Sequence, residues 1–263
     1  MKRQPLSYFI TIMILSFTIL SACGNDNSNQ ESQDELLIAA ASDLTLAFTE
    51  LGSLFEEETG IAVTFSFGST GQLADQIENG APFDVFAAAN VSFVDRLQEA
   101  GLLFDDTQTT YAFGRVGMAT LPNSSVQIES LEELTDPAVK KIAIANPDHA
   151  PYGLAAKQAL ETAGLWEEVQ EKLVYGRNIS DTLSYIETGN AEAGIIALSL
   201  YQEGSVHFSI IDASMHEPLE QSIAVINRTS QEALAREFID FILGPIGKPI
   251  MEQYGFSVPE ENE

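Results

Sequence analysis

Short apolar runs alternate with helical patterns through the first hundred residues, and this alternation restricts the fold more than any other feature. Residues 36–41 and 83–89 are largely apolar, and residues 61–67 alternate apolar with polar side chains. After each run, apolar residues recur at spacings of three and four, as on one face of an amphipathic helix. Strands that alternate with helices form a parallel sheet covered by helices, with ligands beyond the carboxyl ends of the strands. We therefore predict an α/β fold.

The second half of the chain continues this alternation. Its predicted strands comprise residues 141–145, 174–175, 193–198, 206–211 and 222–227. No Pro- or Ser-rich linker separates the halves, so we expect the chain to cross between two lobes at residues 110–120 and 221–228. Lobe 1 is expected to contain residues 36–113 and 225–263, and lobe 2 residues 114–224, each built on a mostly parallel sheet.

The N-terminus has the composition of an export signal. Two basic residues precede a mostly apolar segment at residues 8–20, which is shorter than the roughly 20 residues that span a bilayer. The segment Leu20-Ser21-Ala22-Cys23 resembles the lipobox of bacterial lipoproteins, in which the signal is cut before a cysteine that carries lipid. We predict a signal peptide over residues 1–22, lipidation of Cys23 and a polar tether over residues 23–35. The alternative is an ordinary signal peptide that ends near a cysteine.

The chain is strongly acidic, with 39 Asp and Glu residues against 12 Lys and Arg residues and a formal net charge of −27. This balance excludes a nucleic-acid binder, which needs a basic face to displace counterions from phosphates. It also disfavours anionic partners at first sight. However, surface charge is screened within roughly 8 Å at physiological salt. A cleft lined by neutral donors can therefore still bind a small anion.

The sequence lacks the common catalytic and metal-binding motifs. His149, His207 and His216 do not have the spacing of HExxH. The segment around Ser69 fits neither a phosphate-binding P-loop nor the GxSxG elbow of hydrolases. We therefore predict a protein that is not an enzyme, needs no cofactor and has no direct protein–metal ligand.

Two serines follow predicted strands and begin predicted helices. Ser42 is followed by Asp43, and Ser69 by Thr70. Amides at a helix start lack intrahelical partners and carry a partial positive charge, so they attract small anions. The alternative is that both serines only cap their helices. Because the ends of neighbouring parallel strands open into one crevice, we expect Ser42 and Ser69, and with them Asp43 and Thr70, to face one ligand.

Four segments carry a resemblance to a known family. They are AAASDL at 39–44, FGSTGQL at 67–73 followed by GAPFDV at 80–85, NPDHAPYG at 146–153 followed by AAKQAL at 155–160, and GNAEAGI at 189–195. In this order they resemble the periplasmic molybdate-binding proteins of ATP-driven molybdate importers, over about residues 36–256. The resemblance implies a type II periplasmic-binding-protein fold. In such a fold two lobes close over one tetrahedral oxyanion, which this family holds with neutral donors.

Carried over residue by residue, the resemblance implies ligand contacts from both lobes. The hydroxyls and amides of Ser42 and Ser69 match the donors of lobe 1, and the amides of Tyr152 and Ile179 match those of lobe 2. Many family members add a tyrosine hydroxyl at the position of Ala197. Either another group, such as the Tyr152 hydroxyl, replaces that donor here, or a site with fewer donors suffices.

A set of pure donors favours an anion that carries no proton. Molybdate, tungstate and sulfate are fully deprotonated at neutral pH, whereas phosphate keeps a proton that would need a carboxylate acceptor. Asp43 is the carboxylate beside the site. We expect its side chain to turn away and cap the helix while its amide faces the ligand.

The expected protein is an exported, monomeric lipoprotein, held by lipid alone to the outer face of the cytoplasmic membrane. Its expected ligand is molybdate, and tungstate with it. Its expected partners are a membrane permease and the ATPase of that permease. The alternatives are a binding protein for sulfate or another small oxyanion, a lipoprotein enzyme that acts on an anionic metabolite, and a structural lipoprotein without a small ligand.

Overall fold

A computed structural model describes residues 35–259 of the protein, which belong to one compact unit. The predicted signal peptide, Cys23 and the predicted tether up to residue 34 lie outside the described residues. Glu35 is already part of the first strand, so the tether was expected one residue too long. Within residues 35–259, each helix is too short or too polar to span a bilayer.

The strands of the described chain form two five-stranded sheets. In chain order they are Glu35–Ala41 (β1), Ala62–Gly68 (β2), Val85–Ala88 (β3), Thr109–Gly114 (β4), Val116–Thr120 (β5), Ile142–Ala145 (β6), Leu173–Gly176 (β7), Ala193–Ala197 (β8), His207–Ile210 (β9) and Leu219–Val225 (β10). The sheet orders are β2-β1-β3-β10-β4 and β7-β6-β8-β5-β9. In each sheet one strand is antiparallel to the other four: β10 in the first sheet and β5 in the second. The predicted α/β class with mostly parallel sheets is therefore confirmed.

The chain passes between the sheets twice, and the arriving strand is each time the antiparallel one. β4 leads directly to β5, within the segment where a crossing was expected. The return comes earlier than expected, because β10 pairs with β3 and β4. Residues 219–224, which we expected in lobe 2, therefore belong to lobe 1. The apolar pattern predicts a strand near this position but does not indicate which sheet it joins. Lobe 1 contains residues 35–114 and 219–259, and lobe 2 residues 116–210.

The helices follow the strands and cover the sheets. They are Thr45–Thr59 (α1), Thr70–Glu78 (α2), Val91–Glu99 (α3), Pro151–Thr162 (α4), Trp166–Val169 (α5), Ile179–Glu187 (α6), Glu232–Leu243 (α7) and Gly247–Gln253 (α8). Gly60 ends α1 in the left-handed conformation, with φ 76°, as expected for a glycine after a helix. Asn90 caps α3: its Oδ1 accepts a hydrogen bond from the Ser92 amide at 2.9 Å.

Helix α7, near the C-terminal end of the described residues, completes the core of lobe 1. Phe238 on α7 packs edge-on against Phe48 and Phe55 of α1, with ring centroids 6.1 and 5.3 Å apart. Such aromatic pairs contribute about 0.5–1.5 kcal/mol beyond the burial of the rings. A helix from the other end of the described chain thus packs against α1, and the turn that precedes α1 faces the cleft.

Candidate functional site

A small cavity between the lobes brings together six of the predicted site residues. They are Ser42, Asp43, Ser69, Thr70, Tyr152 and Ile179. The rest of the wall consists of Ala41, Gly68, Ala89, Ala150 and Pro151. The cavity has a volume of about 10 Å³, roughly the space that one water molecule needs, so it is far too small for a drug-sized molecule. Among the described residues of this wall, Asp43 alone carries a side-chain charge.

The register of the first sheet places the two serines side by side. β1 and β2 are parallel, and their last paired residues are Ala41 and Gly68. Ser42 and Ser69 come directly after this pair. Ser42 begins a short 3-10 turn that continues into α1, and Ser69 is the residue before α2. Both serines are buried, at 3% exposure, so the strand ends present them to the cavity rather than to solvent.

Neither serine side chain caps its helix. The alternative that these serines serve only as helix caps is therefore wrong. Ser69 occupies the cap position of α2 but makes no side-chain bond to that helix. The Ser69 hydroxyl instead lies 2.6 Å from the main-chain oxygen and 2.7 Å from Nδ1 of His149, across the cleft in lobe 2. Thr70 also has a local role, since its Oγ1 accepts a hydrogen bond from the Ala89 amide at 3.2 Å.

The second lobe repeats this arrangement, but no serine directly follows either strand. β6 and β7 are parallel and end at the pair Ala145 and Gly176, after which the chain leads to α4 and α6. Tyr152 is the second residue of α4 and Ile179 the first of α6, so their amides belong to the first turn, where amides have no intrahelical partner. A Cβ at Gly153 would lie 2.1 Å from the Ala145 oxygen, so this glycine lets α4 start directly against the end of β6.

Asp43 is buried. We expected its side chain to cap the helix, but it does not. Its Oδ2 accepts a hydrogen bond from Gln221 Nε2 at 2.6 Å, whereas Oδ1 has no hydrogen-bond partner. Burial raises the pKa of Asp43 to about 6, and hydrogen bonding with Gln221 and, to a smaller degree, with Tyr152 opposes this rise. The sequence could not predict this contact, because Gln221 is 178 residues away and reaches Asp43 only through the pairing of β10.

Gln221 is the centre of a buried polar network that sequence reasoning missed. Its Oε1 accepts a hydrogen bond from the Tyr111 hydroxyl at 2.8 Å, and its Nε2 donates to Asp43 and, at 3.1 Å, to the Tyr152 hydroxyl. Burial and then the charge of Asp43 raise the pKa values of Tyr111 and Tyr152 well above their ordinary value. The Tyr152 hydroxyl thus belongs to this network, which joins lobe 1 to lobe 2.

Several hydrogen bonds cross directly between the lobes at the rim of the cavity. The Gly71 amide donates to the His149 main-chain oxygen at 2.9 Å. Ser180 and Ser199 of lobe 2 donate to the main-chain oxygens of Ser42 and Asp43, at 2.9 and 2.8 Å. These contacts hold the cleft closed. Except for the motif that contains His149, the sequence offers no signal for them.

Ala197 is the one predicted site residue that does not line the cavity. It is fully buried at the end of β8, where it pairs with Val116 of β5. Its methyl group offers no donor. The residues around the cavity that were not predicted are instead His149 and Gln221, which contact Ser69 and Asp43.

A larger hollow on lobe 1 has a different character. It provides about 350 Å³ and is lined in part by Asp106 and Arg236, whose side chains pair with each other at 2.8 Å. The single cation of its described lining, Arg236, is therefore already paired. Among residues 35–259, no group of three or more His, Cys, Asp or Glu side chains could hold a metal ion.

Comparisons with known proteins give the family and the fold of the chain. The family model of bacterial extracellular solute-binding proteins matches residues 36–257. The molybdate-binding protein ModA of Azotobacter vinelandii is 33% identical over 228 residues, which cover 85% of this chain and 90% of that protein. ModA of Rhodobacter capsulatus is 33% identical over 224 residues, which cover 84% of this chain and 88% of that protein. The solved structure of the A. vinelandii periplasmic molybdate-binding protein matches with a TM-score of 0.81 at 28% identity, covering 86% of this chain and 100% of that one.

Proposed function

Because the chain belongs to the family of bacterial extracellular solute-binding proteins, we propose that it captures molybdate, and tungstate with it, and delivers the anion to an ATP-driven importer. One observation carries the proposal: Ser42, Ser69, Tyr152 and Ile179, which come from both lobes, line one small cavity. The names of the A. vinelandii and R. capsulatus relatives and of the matching structure support molybdate as the ligand.

The chemistry of the cavity wall suits a dianion that only accepts hydrogen bonds. The Ser42 hydroxyl and several first-turn amides supply donors, and the Ser69 hydroxyl adds one when it exchanges its contact with His149 for one with the anion. Each helix start adds roughly half a positive charge. No Lys or Arg stands on the described wall, so the donors are dipoles rather than charges. In a closed, water-poor cavity such fixed dipoles act more strongly than they would in water. The protein therefore binds the oxygen atoms of the anion and does not ligate its metal.

The two crossings between the sheets provide the hinge for capture. In an open form each lobe exposes its own pair of helix starts, and the anion bridges them when the lobes meet. The bonds from Gly71 to His149 and from Ser180 to Ser42 form only in the closed arrangement. We propose that the membrane permease recognises this closed form, that the protein acts as a monomer without a cofactor, and that it catalyses no reaction.

A lipid anchor on Cys23 completes the proposal. The lipobox-like segment at residues 20–23 supports it, and the exported location of the family is consistent with it. Metabolic labelling with a fatty-acid analogue tests it, with Cys23→Ala as the control. Labelling of the wild-type chain and its loss in the variant are expected. Release of the wild-type protein into the medium without label would contradict the anchor.

Isothermal titration of the purified, oxyanion-free protein with molybdate, tungstate and sulfate tests the ligand. We expect tight binding of molybdate and tungstate and much weaker binding of sulfate. Tight sulfate binding without molybdate binding would replace the proposal by its closest alternative, a sulfate-binding protein. Turnover of an anionic metabolite would show an enzyme instead.

A further inference from the structure

Asp43 has an unusual position for a carboxylate beside an anion. It is 1% exposed, lies on the cavity wall and follows Ser42, a proposed donor. Its Oδ2 accepts from Gln221 at 2.6 Å, and its main-chain oxygen accepts from Ser199 at 2.8 Å. Oδ1 is buried and unpartnered. No cation forms an ion pair with this carboxylate among the described residues.

The groups that face Asp43 offer hydrogen bonds but no compensating charge. Tyr111 on β4 and Tyr152 on α4 are the titratable groups close to it, and burial together with the charge of Asp43 keeps both phenols protonated. Gln221 on β10 and Ser199 after β8 are neutral. An ionised Asp43 would therefore stand next to a captured dianion with nothing positive to offset the repulsion.

We propose that Asp43 binds the captured oxyanion as a neutral carboxylic acid, so that the protein takes up one proton with each dianion. The inference rests on the proposed function. The proton comes from solvent and is added to Oδ1, because Oδ2 already accepts from Gln221. Asp43 then changes from an acceptor that repels the ligand into a hydroxyl donor. The cavity wall becomes a set of neutral donors, although its sequence contains a carboxylate.

The direction in which affinity changes with pH follows from this proton uptake. Burial already raises the pKa of Asp43 to about 6 in the closed structure, and a dianion beside it raises that pKa further because like charges disfavour the ionised form. Below the lower of the two pKa values Asp43 is protonated with or without ligand, and binding takes up no proton. Above it, affinity falls as pH rises, by up to about tenfold per pH unit, until the pKa of the complex is passed.

Titration calorimetry with molybdate in buffers of different ionisation enthalpy counts the protons directly. Between pH 6 and pH 8 we expect uptake that approaches one proton per anion in the wild-type protein. Asp43→Asn keeps an oxygen for Gln221 and places an amide where the carboxyl proton would be. We expect this variant to take up no proton, to bind with an affinity independent of pH, and at pH 8 to bind at least as tightly as the wild type.

Two control variants identify the proton acceptor. Asp181→Asn changes an acid of lobe 2 that pairs with Arg177, and it should leave the proton count unchanged. His149→Gln tests the other titratable side chain at the cleft, which contacts Ser69, and should also leave the count unchanged. If Asp43→Asn does not fold, infrared difference spectra of the wild type must show the carbonyl band of a protonated carboxylic acid when molybdate binds.

The possible failures can be told apart. No heat with any oxyanion would overturn the proposed function. Tight binding without proton uptake would leave that function intact and overturn the role of Asp43. An unchanged proton count in Asp43→Asn would also overturn it. A large loss of affinity in that variant would instead indicate an ionised Asp43 that accepts a proton carried by the anion.

Discussion

The two lobes supply helix starts to the same cavity, but they do so with different kinds of donor. Lobe 1 contributes Ser42 and Ser69, whose hydroxyls add to their amides once Ser69 exchanges its contact with His149 for one with the anion. Lobe 2 contributes Tyr152 and Ile179, whose apolar or already engaged side chains leave the main chain as the donor. Only the donors of lobe 1 can therefore be predicted from residue type, because main-chain donors leave no mark in the sequence. For the same reason, side-chain substitutions at the donors should weaken binding in lobe 1 and not in lobe 2.

The largest expected effect comes from removal of both lobe 1 hydroxyls. Hydrogen bonds to a charged partner are worth about 1.5–3 kcal/mol each. Ser42→Ala combined with Ser69→Ala should therefore weaken molybdate binding by more than about a hundredfold, measured by titration calorimetry. Ser53→Ala, an exposed serine of α1, is the matched control and should have no effect. Unchanged affinity in the double variant would show that lobe 1, like lobe 2, binds through amides alone.

A smaller effect is expected where the lobes meet. A Cβ at Gly71 would lie 2.8 Å from the His149 main-chain oxygen, so Gly71→Ala obstructs the closed arrangement. Overpacking of this kind costs about 1–3 kcal/mol, equivalent to a loss of affinity of about five- to 150-fold. The unfolding midpoint should not fall, because alanine is the better helix former. Gln76→Ala, exposed on the same helix, is the control. Full affinity in Gly71→Ala would mean that binding does not require this contact.

In lobe 2, removal of a side-chain hydroxyl should scarcely affect binding. Tyr152→Phe keeps the amide but removes the acceptor of the Gln221 bond. We expect a change in molybdate affinity of less than about threefold, together with a loss of unfolding free energy of about 1 kcal/mol in urea titrations. A loss of affinity of tenfold or more would identify the Tyr152 hydroxyl as the donor that replaces the tyrosine missing at Ala197.

The smallest expected effect concerns the whole surface rather than either lobe. A formal net charge of −27 repels an approaching dianion, and salt screens this repulsion. Stopped-flow association with molybdate should therefore become modestly faster as sodium chloride is raised. If association instead slows, one lobe carries a local positive potential that attracts the anion.

The sequence predicted best those features that depend on neighbours along the chain. The strands and helices of the first hundred residues and the position of Ser42 and Ser69 at adjacent strand ends follow from local pattern. The resemblance placed Tyr152 and Ile179 at the same cavity.

Predictions from the sequence were wrong where a side chain hydrogen-bonds with a residue far away along the chain. Asp43 has the local features of a helix cap, yet Gln221 binds it instead. Ser69 has them too, yet its hydroxyl contacts His149, 80 residues away. Residues 222–227 predict a strand, but whether it belongs to lobe 1 or lobe 2 depends on which sheet edge is unpaired when it arrives.

The position of β10 has a consequence for the order in which the protein folds. It separates β3 from β4, although Tyr111 of β4 and its partner Gln221 of β10 are 110 residues apart. A chain that emerges N-terminus first therefore carries β3 and β4 with unpaired edges until residue 225 has appeared, whereas lobe 2 is one continuous segment. Open edges of this kind invite wrong pairing. The cavity needs both lobes, so the ligand site is among the last parts of the protein to be completed after export.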